Sequence, residues 1–308
     1  MATGKLSMSL LRASQNVQRS LAKIFTLALC TALLSSCSIK LTYSFLDNLM
    51  GWQLGRYVSL NGEQKKVAKA VFKDFHGWHR ETQLTPYARY LTQVKQTILA
   101  GDITPEYLHA ESNSLQLMLD DSLEYLLPGL TDVATLLTDE QILEVQKNLG
   151  KERKKYRKEY VDDSPEKIKK RRIRSITRII GPFFGGFTKQ QEQRLSDWEN
   201  NFLDYEELMI VQQENWEARF MVAMEFREAP GKMQPHLREL MLYRIDNWDP
   251  ELQKRLDINQ IATFEMLADL FNSQTPKQQK KLAKKFDQYI GDFRSITEKH
   301  TEDALSYR

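Results

Sequence analysis

His76 and His79 stand three residues apart. On a helix that spacing puts both imidazoles on one face, within reach of a shared metal ion. No third ligand is identifiable, and the neighbouring Phe75 and Trp78 suit a partly buried aromatic turn, so a structural histidine pair is expected and no metal. Glu106-Tyr107-Leu108-His109 has the Glu-x-x-His spacing of a carboxylate-bridged di-iron bundle, which needs the motif on two helices. No other histidine here follows a glutamate by three. The glycine-rich run from Gly181 to Thr188 lacks the lysine of a phosphate loop. Neither Gly-x-Ser-x-Gly nor His-Glu-x-x-His occurs. Asp120-Asp121 and Asp162-Asp163 are sequence neighbours, which point apart on a helix. No catalytic residue and no cofactor are therefore assigned; Trp78, His79 and Arg80 are the one cluster around which localised chemistry is conceivable.

Charge is more informative than any of these. Lys151 to Arg178 holds 13 basic and 5 acidic residues. Within it, Lys154, Lys155, Arg157, Lys158, Lys169, Lys170, Arg171, Arg172 and Arg174 are expected to meet an anionic surface. A solvated helix pair with internal Glu–Lys contacts explains the same run equally well.

The N-terminus says which anionic surfaces are available. The first 23 residues carry Lys5, Arg12, Arg19 and Lys23 and no acid, and an apolar run from Ile24 to Leu34 follows. That is the pattern of a secretory signal peptide, too short to span a bilayer. Leu34-Ser35-Ser36-Cys37 resembles the lipobox of bacterial lipoproteins, in which the cysteine is acylated and becomes the new N-terminus. The only other cysteine, Cys30, lies inside the apolar run, so the mature chain is expected to hold no disulfide and no free thiol. Ser38 after the cysteine implies, by resemblance to sorting in enteric bacteria, the outer membrane. An exported protein does not meet nucleic acid. The expected partners are the membrane through the lipid, then anionic lipid, lipopolysaccharide or envelope proteins. Removing residues 1–36 leaves 40 basic against 41 acidic residues, so the basicity of the whole chain belongs to the export signal.

The elements that must position these residues read as helices throughout. Thr104-Pro105, Ser164-Pro165, Asp249-Pro250 and Thr275-Pro276 each place a capping side chain before a proline at the first helical position. No alternating or β-branched run asks for a strand. The pattern predicts helices near 61–82, 86–100, 104–127, 138–161, 164–180, 188–228, 235–247, 250–272 and 275–304. Breaks are expected at Pro128, Gly181-Pro182 and Pro230-Gly231.

A phrase recurs at four of these starts: Leu60-Asn61-Gly62-Glu63-Gln64, Leu137-Thr138-Asp139-Glu140-Gln141, Phe187-Thr188-Lys189-Gln190-Gln191 and Gln274-Thr275-Pro276-Lys277-Gln278. Each puts a cap three residues before glutamine, the capping-box spacing. Seven residues beyond the caps stand Ala68, Val145, Leu195 and Leu282; fourteen beyond stand Phe75, Glu152, Phe202 and Tyr289. A shared buried stripe that turns polar in the second helix is expected.

Leu41-Thr42-Tyr43 with Leu46-Asp47, then Trp78-His79-Arg80 with Leu84, Pro86 and Tyr87, then the Leu137 and Phe187 phrases flanking Arg171-Arg172 resemble, together, an uncharacterised family of proteobacterial lipoproteins with a domain of unknown function. The resemblance covers roughly the mature chain and departs from the pattern at Thr85. The recurring phrase also resembles the Leu-Thr-x-x-Gln motif of Spy-like periplasmic chaperones. Together these readings predict an all-α protein, a multi-helix bundle of antiparallel helices behind an N-terminal lipoprotein signal peptide. Residues 1–36 would be that signal peptide, 37–60 the lipid-anchored lead-in, and 61–308 the helical periplasmic domain, either single or in two lobes divided near 181–187. The expected role is non-enzymatic binding, or chaperone-like action, from the outer membrane. The alternative is an enzyme or enzyme activator acting on envelope polymers through Trp78, His79 and Arg80.

Overall fold

The computed structural model describes residues 39–242 and 248–306; the expected signal peptide and Cys37 lie outside the described residues. Among those described the chain is all-α, with twelve helices. They are α1 (Ile39–Tyr43), α2 (Leu46–Gly55), α3 (Gly62–Thr82), α4 (Leu84–Ala100), α5 (Pro105–Thr135), α6 (Asp139–Tyr160), α7 (Pro165–Phe184), α8 (Lys189–Asn200), α9 (Glu206–Glu225), α10 (Pro230–Leu242), α11 (Pro250–Asn272) and α12 (Pro276–Ser306).

Side-chain caps open six of the twelve helices described, and Ser164, expected to cap α7, makes no such bond. Asn61, Thr138 and Thr188 each close a capping box with the glutamine three residues on, and Thr275 accepts from the Gln278 backbone while Gln278 Oε1 accepts from the Thr275 N–H. Behind these caps Ala68, Val145, Leu195 and Leu282 are all buried. One turn pair further on, Phe75 and Tyr289 are buried too, whereas Glu152 is exposed and ion-paired with Arg56 at 2.9 Å. The first and fourth helices thus bury the stripe that the phrase marks, the second turns polar, and the third ends before Phe202, which is half-buried in the connection to α9.

Three expected boundaries are moved by tertiary packing. α5 runs through Pro128, although proline lacks an N–H and crowds the preceding turn. Leu126, Leu127, Thr131 and Val133 on both sides of it are buried, and the residue after it, Gly129, faces Val71 of α3 so closely that a Cβ there would collide with that side chain. α7 likewise continues past Pro182 and ends at Gly185, which takes the left-handed conformation (φ 74°) that terminates helices. The single helix expected over 188–228 is instead broken between α8 and α9, because Asn259 of α11 clasps the intervening backbone: its side chain accepts from the Leu203 N–H and donates to the Leu203 carbonyl, both at 2.8 Å. The break expected at Pro230 is present, with that proline opening α10.

α5 and α11 lie side by side and antiparallel. Asn272 exchanges two hydrogen bonds with the Ile103 backbone at 2.9 and 2.8 Å, and His109 meets Phe264 edge-on at 6.0 Å. α12 packs along α4, with Leu282, Phe286 and Ile290 in a core shared with Ala88 and Ile98.

Candidate functional site

The residues singled out for chemistry do come together, at the junction between the lead-in and the body. α1 and α2 lay Ile39, Tyr43 and Leu46 into a core with Phe72, Phe75 and Tyr289. The Tyr43 hydroxyl lies 2.9 Å from His79 Nδ1, and the Tyr87 hydroxyl lies 3.4 Å from His79 Nε2. Whichever tautomer the ring adopts, one phenol donates to it and the other accepts from it. Burial, with a smaller effect of the neighbouring His76, pushes His79 down to about 4, so the ring is neutral at pH 7. Burial also holds the Tyr43 phenol in its protonated form, well above the ordinary tyrosine range.

His76 points to Asp47 of α2 at 3.8 Å. Burial, then the charge of Arg80, lowers its affinity for a proton, against the pull of Asp47. Trp78 is stacked on Tyr125 of α5, ring centroids 4.0 Å apart and nearly parallel, and the Tyr125 hydroxyl donates to Asp74 at 2.9 Å. Trp78, His79 and Arg80 therefore sit where α1, α2, α4 and α5 meet α3; both ring nitrogens of His79 are turned to tyrosines of the fold, whereas Arg80 has a buried Nε with no hydrogen-bond partner. Sequence reading named the three; the partners Tyr43, Asp47 and Tyr87 were visible only as part of a family likeness, since nothing local links residue 43 to residue 79. Among the described residues no group of three His, Cys, Asp or Glu side chains is placed to hold a metal ion.

The basic segment divides into two populations. Arg157 forms a two-pronged pair with Glu207 at 3.0 and 2.8 Å, and Lys169 reaches Glu199 at 3.4 Å. Arg171 pairs with Asp163 at 2.8 Å; that carboxyl is held at about 2, chiefly by Arg171 and then by Lys167. Arg172 is the most committed: it contacts Glu206 at 2.8 Å, Asp204 at 2.6 Å and Glu199 at 3.3 Å. Its guanidinium also lies 4.7 Å from the Phe202 ring centre. It forms one wall of a cleft of about 550 Å³ between α7 and the α8–α9 connection. Lys154, Lys155, Lys158, Lys170 and Arg174 are exposed and have no ion pair among the described residues.

A third feature carried no sequence signal. On the antiparallel pair α5 and α11, Leu115, Leu117, Ile258 and Ile261 are exposed, Leu117 by 64% and Ile261 by 57%. Leu115 and Leu117 flank the buried Gln116 on opposite sides of α5, whereas Ile258 and Ile261 share one side of α11. Beside them burial raises the Asp257 carboxyl to about 6. Periodicity alone assigns such leucines to the core; only the packing of neighbouring helices reveals that they are left outside.

These features define an all-helical protein whose N-terminal helices are docked onto its body by a histidine held between two tyrosines. No helix among the described residues is long and apolar enough to cross a membrane. The chain belongs to the family of unknown function DUF6279, whose model matches residues 56–253. Comparison with curated proteins and with solved structures finds no match.

Proposed function

We propose that this protein is a lipid-anchored, non-enzymatic binding protein of the bacterial cell envelope, holding unfolded or nascent envelope polypeptides from the periplasmic side of the outer membrane. The observation that carries the binding reading is the exposure of four large apolar side chains, Leu115, Leu117, Ile258 and Ile261, on two paired helices. Large apolar side chains left in water offer contact points to a partner, and polypeptide is the partner whose own apolar side chains cover them. The enzymatic alternative would have to use His79 with both ring nitrogens engaged by tyrosines within the fold. The anchoring half of the proposal rests on the lipobox before Cys37. Membership of a proteobacterial lipoprotein lineage and likeness to Spy-like chaperones belong to the same proposal.

The test is suppression of aggregation of a chemically denatured client protein by the purified chain, comparing wild type with Leu117→Ser and Ile261→Ser. Both positions are exposed, so the variants should keep their helical content. A marked loss of suppression in folded variants is the expected result, and equal suppression by all three would overturn these side chains as the binding site. Anchoring is tested by Cys37→Ser, which should either release the protein from membranes or leave it as uncut precursor. Normal processing with unchanged membrane retention would contradict it.

A further inference from the structure

We infer that the outward face of the lead-in helices lies in the surface of a lipid bilayer, so that the protein is seated on the membrane as well as tethered to it. The inference rests on the anchored reading of Cys37 and concerns residues that the reading does not use.

α1 and α2 are joined almost without a break, Ser44 N–H bonding to the Lys40 carbonyl and Leu49 N–H to the Phe45 carbonyl, so helical spacing applies across both. At 100° per residue, Ile39, Tyr43, Leu46, Met50 and Leu54 fall on one side, and all of them pack into the body. Leu41, Phe45 and Trp52 fall together on the opposite side, and they are 54%, 53% and 65% exposed. The segment is thus apolar on both faces. A helix that is hydrophobic all round is normally enclosed on all sides, yet the body covers only one side of this one. The other outward positions between Leu41 and Trp52 are Ser44, Asn48 and Gly51, so no acid stands among the apolar side chains.

The position in the chain selects lipid as the occupant. Leu41 is four residues from Cys37, a span of at most about 14 Å at full extension. An acyl chain on that cysteine therefore brings Leu41 and Phe45 to the headgroup region. From Leu41 to Trp52 the helix advances only about 16 Å, so one interfacial layer accommodates all three if the helix lies flat. Tryptophan is the residue favoured at that depth. Of the flanking cations, Lys40 pairs with Asp292 and Arg56 with Glu152, and the Arg56 guanidinium also lies 5.8 Å from the Trp52 ring centre; both charges are balanced by carboxylates of the fold, so the attraction is chiefly apolar and should largely resist salt.

The experiment uses the full chain, produced with its own leader in bacterial cells and reconstituted into phosphatidylethanolamine–phosphatidylglycerol vesicles containing brominated lipid. Tryptophan quenching is compared for wild type, Trp52→Phe, and Phe45→Trp in the Trp52→Phe background, and the mass of the N-terminal peptide reports acylation independently. Trp52 is one of five tryptophans. The expected result is a quenched component that disappears in Trp52→Phe and returns with Phe45→Trp, little changed at high salt. With Cys37 acylated, absence of that component would overturn the seating while the anchor stands. With Cys37 unacylated, quenching of vesicle-bound protein would support the seating and remove the anchor; its absence would overturn both. A blue-shifted but unquenched Trp52 would show the face covered by a second copy of the chain, which also overturns the inference.

Discussion

Gln64 and Gln141, 77 residues apart, exchange a closed pair of side-chain amide hydrogen bonds, each 2.7 Å long. Each amide also closes its own capping box and spends its second N–H on the backbone just before the partner's helix: Gln64 on the Leu136 carbonyl at 2.6 Å, Gln141 on the Ser59 carbonyl at 2.8 Å. Gln191 and Gln278 repeat the arrangement, with Ser273 and Gly186 supplying the carbonyls. The four recurring phrases are thus two clasps, each joining two helix starts.

Loss of a clasp glutamine should cost more than loss of its cap. A cap Thr→Ala change costs about 1 kcal/mol, whereas Gln64→Ala removes several buried hydrogen bonds and strands their partners, at about 2 to 4 kcal/mol. Denaturant unfolding of Gln64→Ala, Gln141→Ala and the double variant should show strong non-additivity, the double costing little more than one single. Simple additivity would mean that the two amides act independently.

Acid should loosen the dock between lead-in and body. His79 has its folded value lowered to about 4 from an ordinary 6.5, so between those values the unfolded chain binds the proton more readily. Stability is whole above pH 6.5 and falls as pH drops through about 4, by up to about 3 kcal/mol at 1.36 kcal/mol per pH unit. Asp257, raised to about 6, works in the opposite direction, so the effect is read as the difference between wild type and His79→Gln. Equal pH slopes in both proteins would contradict it.

Gly129→Ala should destabilise despite alanine's better helix propensity, because its methyl group meets Val71. Overpacking of this kind costs about 1 to 3 kcal/mol. Val71→Ala in the same chain should recover part of the loss; a stabilised Gly129→Ala protein would show that the helices part freely.

The two populations of basic residues should separate experimentally. Arg172→Ala leaves the buried carboxylates of Glu199 and Glu206 without their main partner, a loss of about 3 to 5 kcal/mol. Charge reversal at Lys154, Lys155, Lys158 and Lys170 should hardly move the melting temperature while weakening salt-sensitive binding to anionic vesicles. Undiminished binding by that quadruple variant would remove the anionic surface from this segment.

What could be read from the chain alone was whatever local chemistry decides. Thr138 and Gln141 announce a helix start within four residues, and Ala68 or Leu282 follows from the period. The pairing of Gln64 with Gln141 could not be read, because identical phrases carry no address for one another. Nor could the break at 201–205, which Asn259 imposes from 56 residues away, or the passage of α5 through Pro128, which burial on both sides sustains. The candidate site divides the same way: His76 and His79 were visible as a pair, but their conversion into a dock depends on Tyr43 and Asp47, and which apolar side chains stay exposed depends on which helix faces remain uncovered.

The binding role is tested most directly by placing a photoreactive amino acid at Leu117 in the full chain and irradiating intact cells. Adducts to several envelope polypeptides, lost when the same group is placed at the exposed Gln193 of α8, are the expected result. An irradiated, folded and abundant protein with no polypeptide adduct at Leu117 would contradict it.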